Sequence, residues 1–329
     1  YNYDAQIGFK TDKVDELLNY IDNNKTDVLI LDINLKSDKS GLEIASLVRK
    51  KNKMKEKLLI SQDLSCLGQV SLSVALPILG ACGYQPDILP TAILSTHTGG
   101  FGNNTFLALN NEMSRIVAHW QEEKISFANL YLGYLGKGAI DFWIERLSDF
   151  RNTDLILLDP AMADSGKLYS GLDLEYVVKM RELARQATIL TPNLTEACLL
   201  LGEKYRDFSI NEIKEIAVEL KEKFKLDSLV ITGISLENKV KMVGLANDSK
   251  IFVIENEKIT RSFFGTGDMF ASSLLAGILA GYSLKESAQI AGDFVKLAIE
   301  KTDLRQDKRL GPNYAGALSW LMNKVEGKR

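Results

Sequence analysis

From Lys57 onward the chain alternates short apolar runs with helical patterns, and most of the runs end in an acid, a glycine or both. KLLISQD, DILPTAILST, SFANLYLG, DLILLDP, ATILTPN and DSLVITG have the length and apolar continuity of strands buried on both faces. Between them lie patterns of helical spacing, among them GQVSLSVALPILGACGY, residues 105–123, GAIDFWIERLSDF, residues 173–186 and NEIKEIAVELKEKF. KVKMVGLA and KIFVIENE follow as a pair of antiparallel strands. Strand and helix alternating over some 270 residues predict an α/β fold: a doubly wound, mostly parallel sheet flanked by helices, with a few antiparallel edge strands. In such sheets ligands sit at the C-terminal ends of the strands, where these acids and glycines fall.

The formal charge of −3 gives no global attraction to nucleic acid or to an acidic membrane. An anionic substrate must therefore be met by local charge. Three scattered cysteines, Cys66, Cys82 and Cys198, form neither a metal motif nor an even disulfide set, which suits a reducing cytoplasm. No apolar run reaches membrane-spanning length.

Residues 1–53 differ in character from the rest. Asp27–Leu35 is an apolar run of buried-strand type, with Asp32 in its second half. VDELLNYIDNN before it has helical spacing, and SGLEIASLVRKKN after it opens on a capping Ser. This stretch resembles the middle of a receiver domain of LytTR-type response regulators, with Asp32 at the phosphate-accepting position. The acidic pair of the first receiver strand is absent, as are the later strands carrying the hydroxyl and the lysine. The segment 1–53 is thus expected to be incomplete or fused, and Met54 reads as an independent start of the domain 54–329.

Four clusters carry chemistry. Gly265-Thr266-Gly267-Asp268 precedes the small-residue run ASSLLAGILAGYSL. Glycines admit an anion close to the backbone, a helix N-terminus offers free N–H groups, and an acid beside it can take a hydroxyl proton. That combination reads as phosphoryl transfer to an alcohol; the plain alternative is a capping acid. Asp159 and Asp164 follow a buried strand and can hold Mg²⁺ or form a solvated loop. Asn193 and Glu196 flank a helix start, where Glu196 serves either a metal or a capping box. Thr232 and Gly233 end the run LVIT and suit a nucleotide phosphate or a simple turn.

These four clusters in this order resemble the ribokinase-like superfamily, and within it the vitamin B6 kinases, over about Lys57–Lys324. The resemblance implies that Asp268 is the general base and that Gly265, Thr266 and Gly267 form the anion hole. It places Asp159 and Asp164 at the metal, Glu196 at the metal through bound water, and Asn193, Thr232 and Gly233 at ATP. Ala163 stands where the family often has glycine. PTAILSTHTGGF looks like the segment lining the pyridine ring, with Thr91, Ser95 and His97 as polar contacts. GYLG matches the loop whose aromatic covers the ring, so Tyr134 is the stacking candidate, with core packing as its alternative. His97 has the alternative of tying down its own loop. Asp63 falls where many B6 kinases carry Ser.

The resemblance implies ATP- and Mg²⁺-dependent phosphorylation of the 5′-hydroxymethyl of pyridoxal, pyridoxine or pyridoxamine, with a monovalent cation such as K⁺ as a further cofactor. A cytoplasmic homodimer is expected, without nucleic-acid or membrane partners. Hydroxymethylpyrimidine kinase is the close alternative, and a non-catalytic vitamin-binding regulatory fusion is the alternative of another class.

Overall fold

The computed structural model describes residues 57–150 and 153–328, together with Lys13, Glu16, Leu17, Asn19 and Tyr20. The chain divides into two units, Tyr1–Glu56 and Lys57–Arg329. In the first, the described Glu16, Leu17, Asn19 and Tyr20 are helical, inside the stretch whose spacing predicts a helix. Asp32 and the rest of the receiver-like reading lie outside the described residues.

The second unit starts with β1 (Leu58–Ser61), β2 (Leu64–Ser65) and helix α1 (Leu72–Ala81). β3 (Asp87–Ile88), β4 (Ala92–Leu94) and β5 (Phe106–Ala108) lead to α2 (Asn110–Glu122), β6 (Asn129–Leu132) and α3 (Gly136–Arg146). β7 (Leu155–Leu158), a short hairpin of β8 (Ala163–Asp164) and β9 (Lys167–Leu168), and α4 (Leu174–Ala184) follow. Then come β10 (Ile189–Leu190), α5 (Leu194–Leu201), α6 (Ile210–Phe224), β11 (Ser228–Leu236), β12 (Lys239–Leu245) and β13 (Ile251–Glu257). The unit closes with α7 (Thr266–Leu279), α8 (Leu284–Glu300) and α9 (Ala315–Glu326).

Eight strands form one sheet in the order β13-β12-β11-β10-β7-β6-β1-β3. The six from β11 to β3 run parallel, while β12 and β13 are antiparallel at one edge. Side chains of successive strand residues point to opposite faces, and here both faces are covered. Leu59, Leu130, Leu132, Leu158 and Leu229 pack with helices α2–α6, against Trp143, Met180 and Leu220. Leu58, Ile60, Leu157 and Val230 pack the other way, against Leu72, Leu274, Phe294 and Leu321 of α1, α7, α8 and α9. This two-sided burial is why the strands read as unbroken apolar runs.

A second sheet, β2-β4-β5, stands apart from the main one. Here the structure differs from the sequence expectation of helix over 105–123. Phe106–Ala108 pairs antiparallel with Ala92–Leu94 and is drawn into strand, so the helix begins at Asn110. Leu64, Ile93 and Leu107 lie side by side across this sheet, and all three are exposed.

Candidate active site

The floor of the site is the N-terminus of α7. Gly265 is left-handed, with φ of 80°, and a Cβ there would stand 1.9 Å from the Gln69 carbonyl oxygen. Only glycine fits that turn. Gly265 has no side chain to cap α7, so the first turn of the helix lacks an N-cap hydrogen bond. A Cβ on Gly267 would meet open space. The next turns pack through small residues, and Ser272 and Ser273 return their hydroxyl protons to the carbonyls of Asp268 and Met269. That keeps a polar helix start compatible with a buried position.

Asp268 sits in the first turn of α7 and is half-buried. Desolvation pushes its carboxyl up to about 7, with the Asp63 charge adding to the rise and the Ser71 N–H opposing it. A carboxyl poised near neutrality at a helix N-terminus suits proton removal from an alcohol.

A cavity of about 490 Å³ opens over this floor. It gathers Gly265, Thr266, Gly267 and Asp268 with Asp159, Asp164, Asn193, Glu196, Thr232 and Gly233, clusters that lie far apart in the chain. Thr232 and Gly233 do not end their strand as the sequence suggested. They form a bulge within the longer β11, where the register shifts between Ile231 and Ile234 and Gly233 takes φ of 69°. The bulge brings Thr232 beside Asn193, and its N–H donates to the Pro192 carbonyl at 2.9 Å.

Asn193 and Glu196 form a complete capping box on α5. The Asn193 amide group also donates to the Ala163 carbonyl at 2.7 Å. Glu196 accepts from the Asn193 N–H through one oxygen, and from the Met162 and Ala163 N–H groups through the other. The side chains expected at ATP and metal are thus tied first to the backbone. Among the described residues, no three His, Cys, Asp or Glu side chains stand together as a metal cage. Glu196, which the resemblance links to the metal through bound water, holds three N–H donors on its two oxygens. Burial pushes Glu196 up to about 8 despite those donors, and burial with the charges of Glu196 and Asp268 raises Asp159 well above the usual carboxylate range.

The residues expected around the heterocycle collect at the ends of β1, β4 and β6. The Asp63 N–H donates to the Tyr134 carbonyl at 3.2 Å, and the Thr91 hydroxyl donates to the same carbonyl at 3.3 Å. Asp63 is buried and accepts from the Ser65 hydroxyl at 2.8 Å. Burial first, and then the Asp63 charge, pushes the Tyr134 phenol up to about 12. Two of the residues expected there are tied into their own loop. Both ring nitrogens of His97 are engaged by the backbone: Nε2 donates to the Arg309 carbonyl at 2.6 Å, and Nδ1 accepts from the Gly99 N–H at 3.1 Å. Its ring is flanked by Phe101 and Phe264, so it staples its loop and has no nitrogen left for a ligand. The Ser95 hydroxyl oxygen accepts from the Thr105 N–H at 2.9 Å and closes the same loop.

Sequence reasoning missed the far wall of the cavity, made by Val240, Met242 and Asn256 of the antiparallel strands and Gly292, Val295 and Ile299 of α8. The one available signal was Gly292, a glycine in the middle of a long amphipathic helix.

A family profile described as phosphomethylpyrimidine kinase matches residues 103–313. The chain belongs to that family. A pyridoxine/pyridoxal/pyridoxamine kinase of Bordetella avium (strain 197N) is 26% identical over 282 residues, covering 77% of this chain and 90% of the relative. A Bacteroides thetaiotaomicron protein, provisionally described as a phosphomethylpyrimidine kinase and crystallised with pyridoxal, superposes with a TM-score of 0.75 at 32% identity. The match covers 82% of this chain and 96% of that one. The pyridoxal kinase of Lactobacillus plantarum gives a TM-score of 0.76 at 29% identity, covering 83% and 98%. Kinase activity of the pyridoxal and phosphomethylpyrimidine type, on the ribokinase-like α/β fold, is what these relatives share with the chain.

Proposed function

We propose that this protein transfers the γ-phosphoryl group of ATP to the 5′-hydroxymethyl of a B6 vitamer. The observation that carries the reading is the position of Asp268, a half-buried acid in the first turn of a helix without an N-cap side chain, in a cavity that also gathers Asp159, Asp164, Asn193, Glu196 and Thr232. In this reading Asp268 takes the hydroxyl proton as the oxygen attacks in line. The N–H groups at Gly265, Thr266 and Gly267 neutralise charge gathering on the transferred group. Thr232 and Gly233 meet the nucleotide phosphates, and Asn193 positions the loop beside them. Asp63 and Thr91 border the heterocycle, with Tyr134 covering it.

Magnesium suits the donor set. The cavity presents hard carboxylate oxygens without a closed cage, and Mg²⁺ keeps several waters while binding through one or two carboxylates and substrate phosphates. Asp159 and Asp164 would hold it, with Glu196 acting through water. Bound there, the ion supplies charge neutralisation on the phosphates.

The vitamer is favoured over hydroxymethylpyrimidine by the pyridoxal bound to the Bacteroides relative. The test is a panel of pyridoxal, pyridoxine, pyridoxamine and hydroxymethylpyrimidine with ATP, Mg²⁺ and K⁺. The reading expects the highest kcat/KM on a vitamer. A higher value on hydroxymethylpyrimidine would move the protein to thiamine-precursor phosphorylation. Turnover of none of them would favour the regulatory vitamin-binding alternative.

Two further parts of the reading rest on separate observations. The exposed row Leu64, Ile93 and Leu107 supports a homodimer through the small sheet; Leu107→Glu should halve the mass measured by light scattering. The three cysteines, none of them in a disulfide, fit a cytoplasmic protein, and no described helix is long and apolar enough to cross a membrane. The receiver-like reading of residues 1–53, with the kinase domain from 54, predicts a proteolytic cut near Lys50–Lys57 that leaves kinase activity intact.

A further inference from the structure

The far wall of the cavity contains a side-chain oxygen with nothing to bind. Asn256 lies on β13 and lines the cavity, and its Oδ1 is buried without a hydrogen-bond partner among the described residues. Its amide nitrogen is fixed: Nδ2 donates to Asp293 Oδ1 at 3.0 Å, and Gln289 Nε2 donates to the same oxygen at 2.9 Å. A carboxylate only accepts, so Asp293 holds the amide group of Asn256 in one orientation and leaves the carbonyl turned away from it. An amide free to flip could serve a donor or an acceptor. This one is set as an acceptor.

The surroundings match a flat aromatic base. Val240 and Met242 line one side, and Val295 and Ile299 of α8 the other. Gly292 costs helix stability at mid-helix, yet a Cβ there would stand 2.6 Å from the Met242 methyl and 3.2 Å from Asn256 Oδ1. The missing side chain keeps this end of the cavity from being filled. Met242 is the movable part of the wall, because its unbranched side chain can swing aside and bring Oδ1 to an entering base edge.

We propose that Asn256 reads the nucleotide base, accepting a hydrogen bond from the exocyclic amine of adenine, and that Asp293 is the positioning residue that locks it. Guanine presents a carbonyl at the same position, and two acceptors face to face leave both unpaired. The proposal rests on the ATP-dependent reading above and adds the group that selects ATP over GTP.

The test measures binding, so it does not depend on vitamer turnover. Dissociation constants for ATP, GTP and purine riboside triphosphate, which lacks the 6-amine, are determined by calorimetry on the full chain. In the wild type ATP should bind about tenfold tighter than either of the others, the size of one hydrogen bond. Asn256→Leu should bring the three constants within about twofold. Asp293→Asn should relax the preference against GTP while the affinity for ATP falls less. Equal binding of ATP and purine riboside triphosphate by the wild type would overturn the proposal without any variant having to fold, as would an unchanged preference in Asn256→Leu. Failure of all three nucleotides to bind would overturn both this contact and the ATP reading. Selective ATP binding without phosphorylation of any hydroxymethyl heterocycle would leave the base contact standing and sink only the kinase reading.

Discussion

Helices α5 and α7 both begin at the wall of one cavity, and their N-termini are built in opposite ways. At α5, Asn193 and Glu196 close a complete capping box, and Glu196 also takes the N–H groups of Met162 and Ala163. At α7, Gly265 turns the chain without a capping side chain and the acid of the first turn, Asp268, lies half-buried at the helix start. Both acids are desolvated and both are raised, to about 8 and about 7. The difference is in what their oxygens already hold. Glu196, with three backbone donors, stabilises a corner; Asp268, met by the Ser71 N–H at a helix start without a capping side chain, is placed for chemistry.

Removing each acid should therefore separate activity from stability. Asp268→Asn should lower kcat by about 10³- to 10⁴-fold, the upper range for a general base, while ATP affinity measured by calorimetry stays near wild type. Glu196→Ala should act chiefly on the fold. It removes a cap and leaves two N–H groups unpaired, a loss of ~1–3 kcal/mol in urea denaturation at pH 6. Should Glu196→Ala keep full stability, the contrast between the two helix starts fails.

The pH dependence of stability sharpens the same comparison. Asp268 rises from 3.8 to about 7 on folding, so the folded state binds the proton more tightly than the unfolded chain. The stability this supplies is complete below about pH 4 and is lost as pH rises through about 7, at ~1.4 kcal/mol per pH unit. Glu196 has the same sign and extends the loss to about pH 8. The melting temperature of the unliganded protein should fall between pH 5 and 9, and Asp268→Asn should flatten part of that slope. The smallest effect is expected at Ser95, whose exposed hydroxyl only closes a loop: Ser95→Ala should leave kcat/KM within about threefold.

The parts legible in the sequence were those whose physics is local. Two-sided burial makes β1, β6, β7 and β11 continuous apolar runs, and the glycines before Asp268 mark a helix start within four residues. What stayed hidden depends on partners distant in the chain. His97 is read as a ligand until Arg309, 212 residues away, takes its Nε2. Glu196 reads as a metal-linked or capping-box acid, and its further bonds to the N–H groups of Met162 and Ala163, more than thirty residues earlier, have no local signal. Phe106–Ala108 has a helix-compatible pattern and becomes strand only by pairing with β4. Asn256 and Gly292 carry no motif, and only the meeting of β13 with α8 makes them a wall.

The central claim is that Asp268 is the base and must be ionised to act. The most direct measurement is the pH profile of kcat/KM for the best substrate of the panel, from pH 5 to pH 9, in the wild type and in Asp268→Asn. The wild-type value should rise tenfold per pH unit at low pH and level off through about pH 7, while the residual activity of the variant should lack that limb. A wild-type limb that persists unchanged in Asp268→Asn would contradict the assignment.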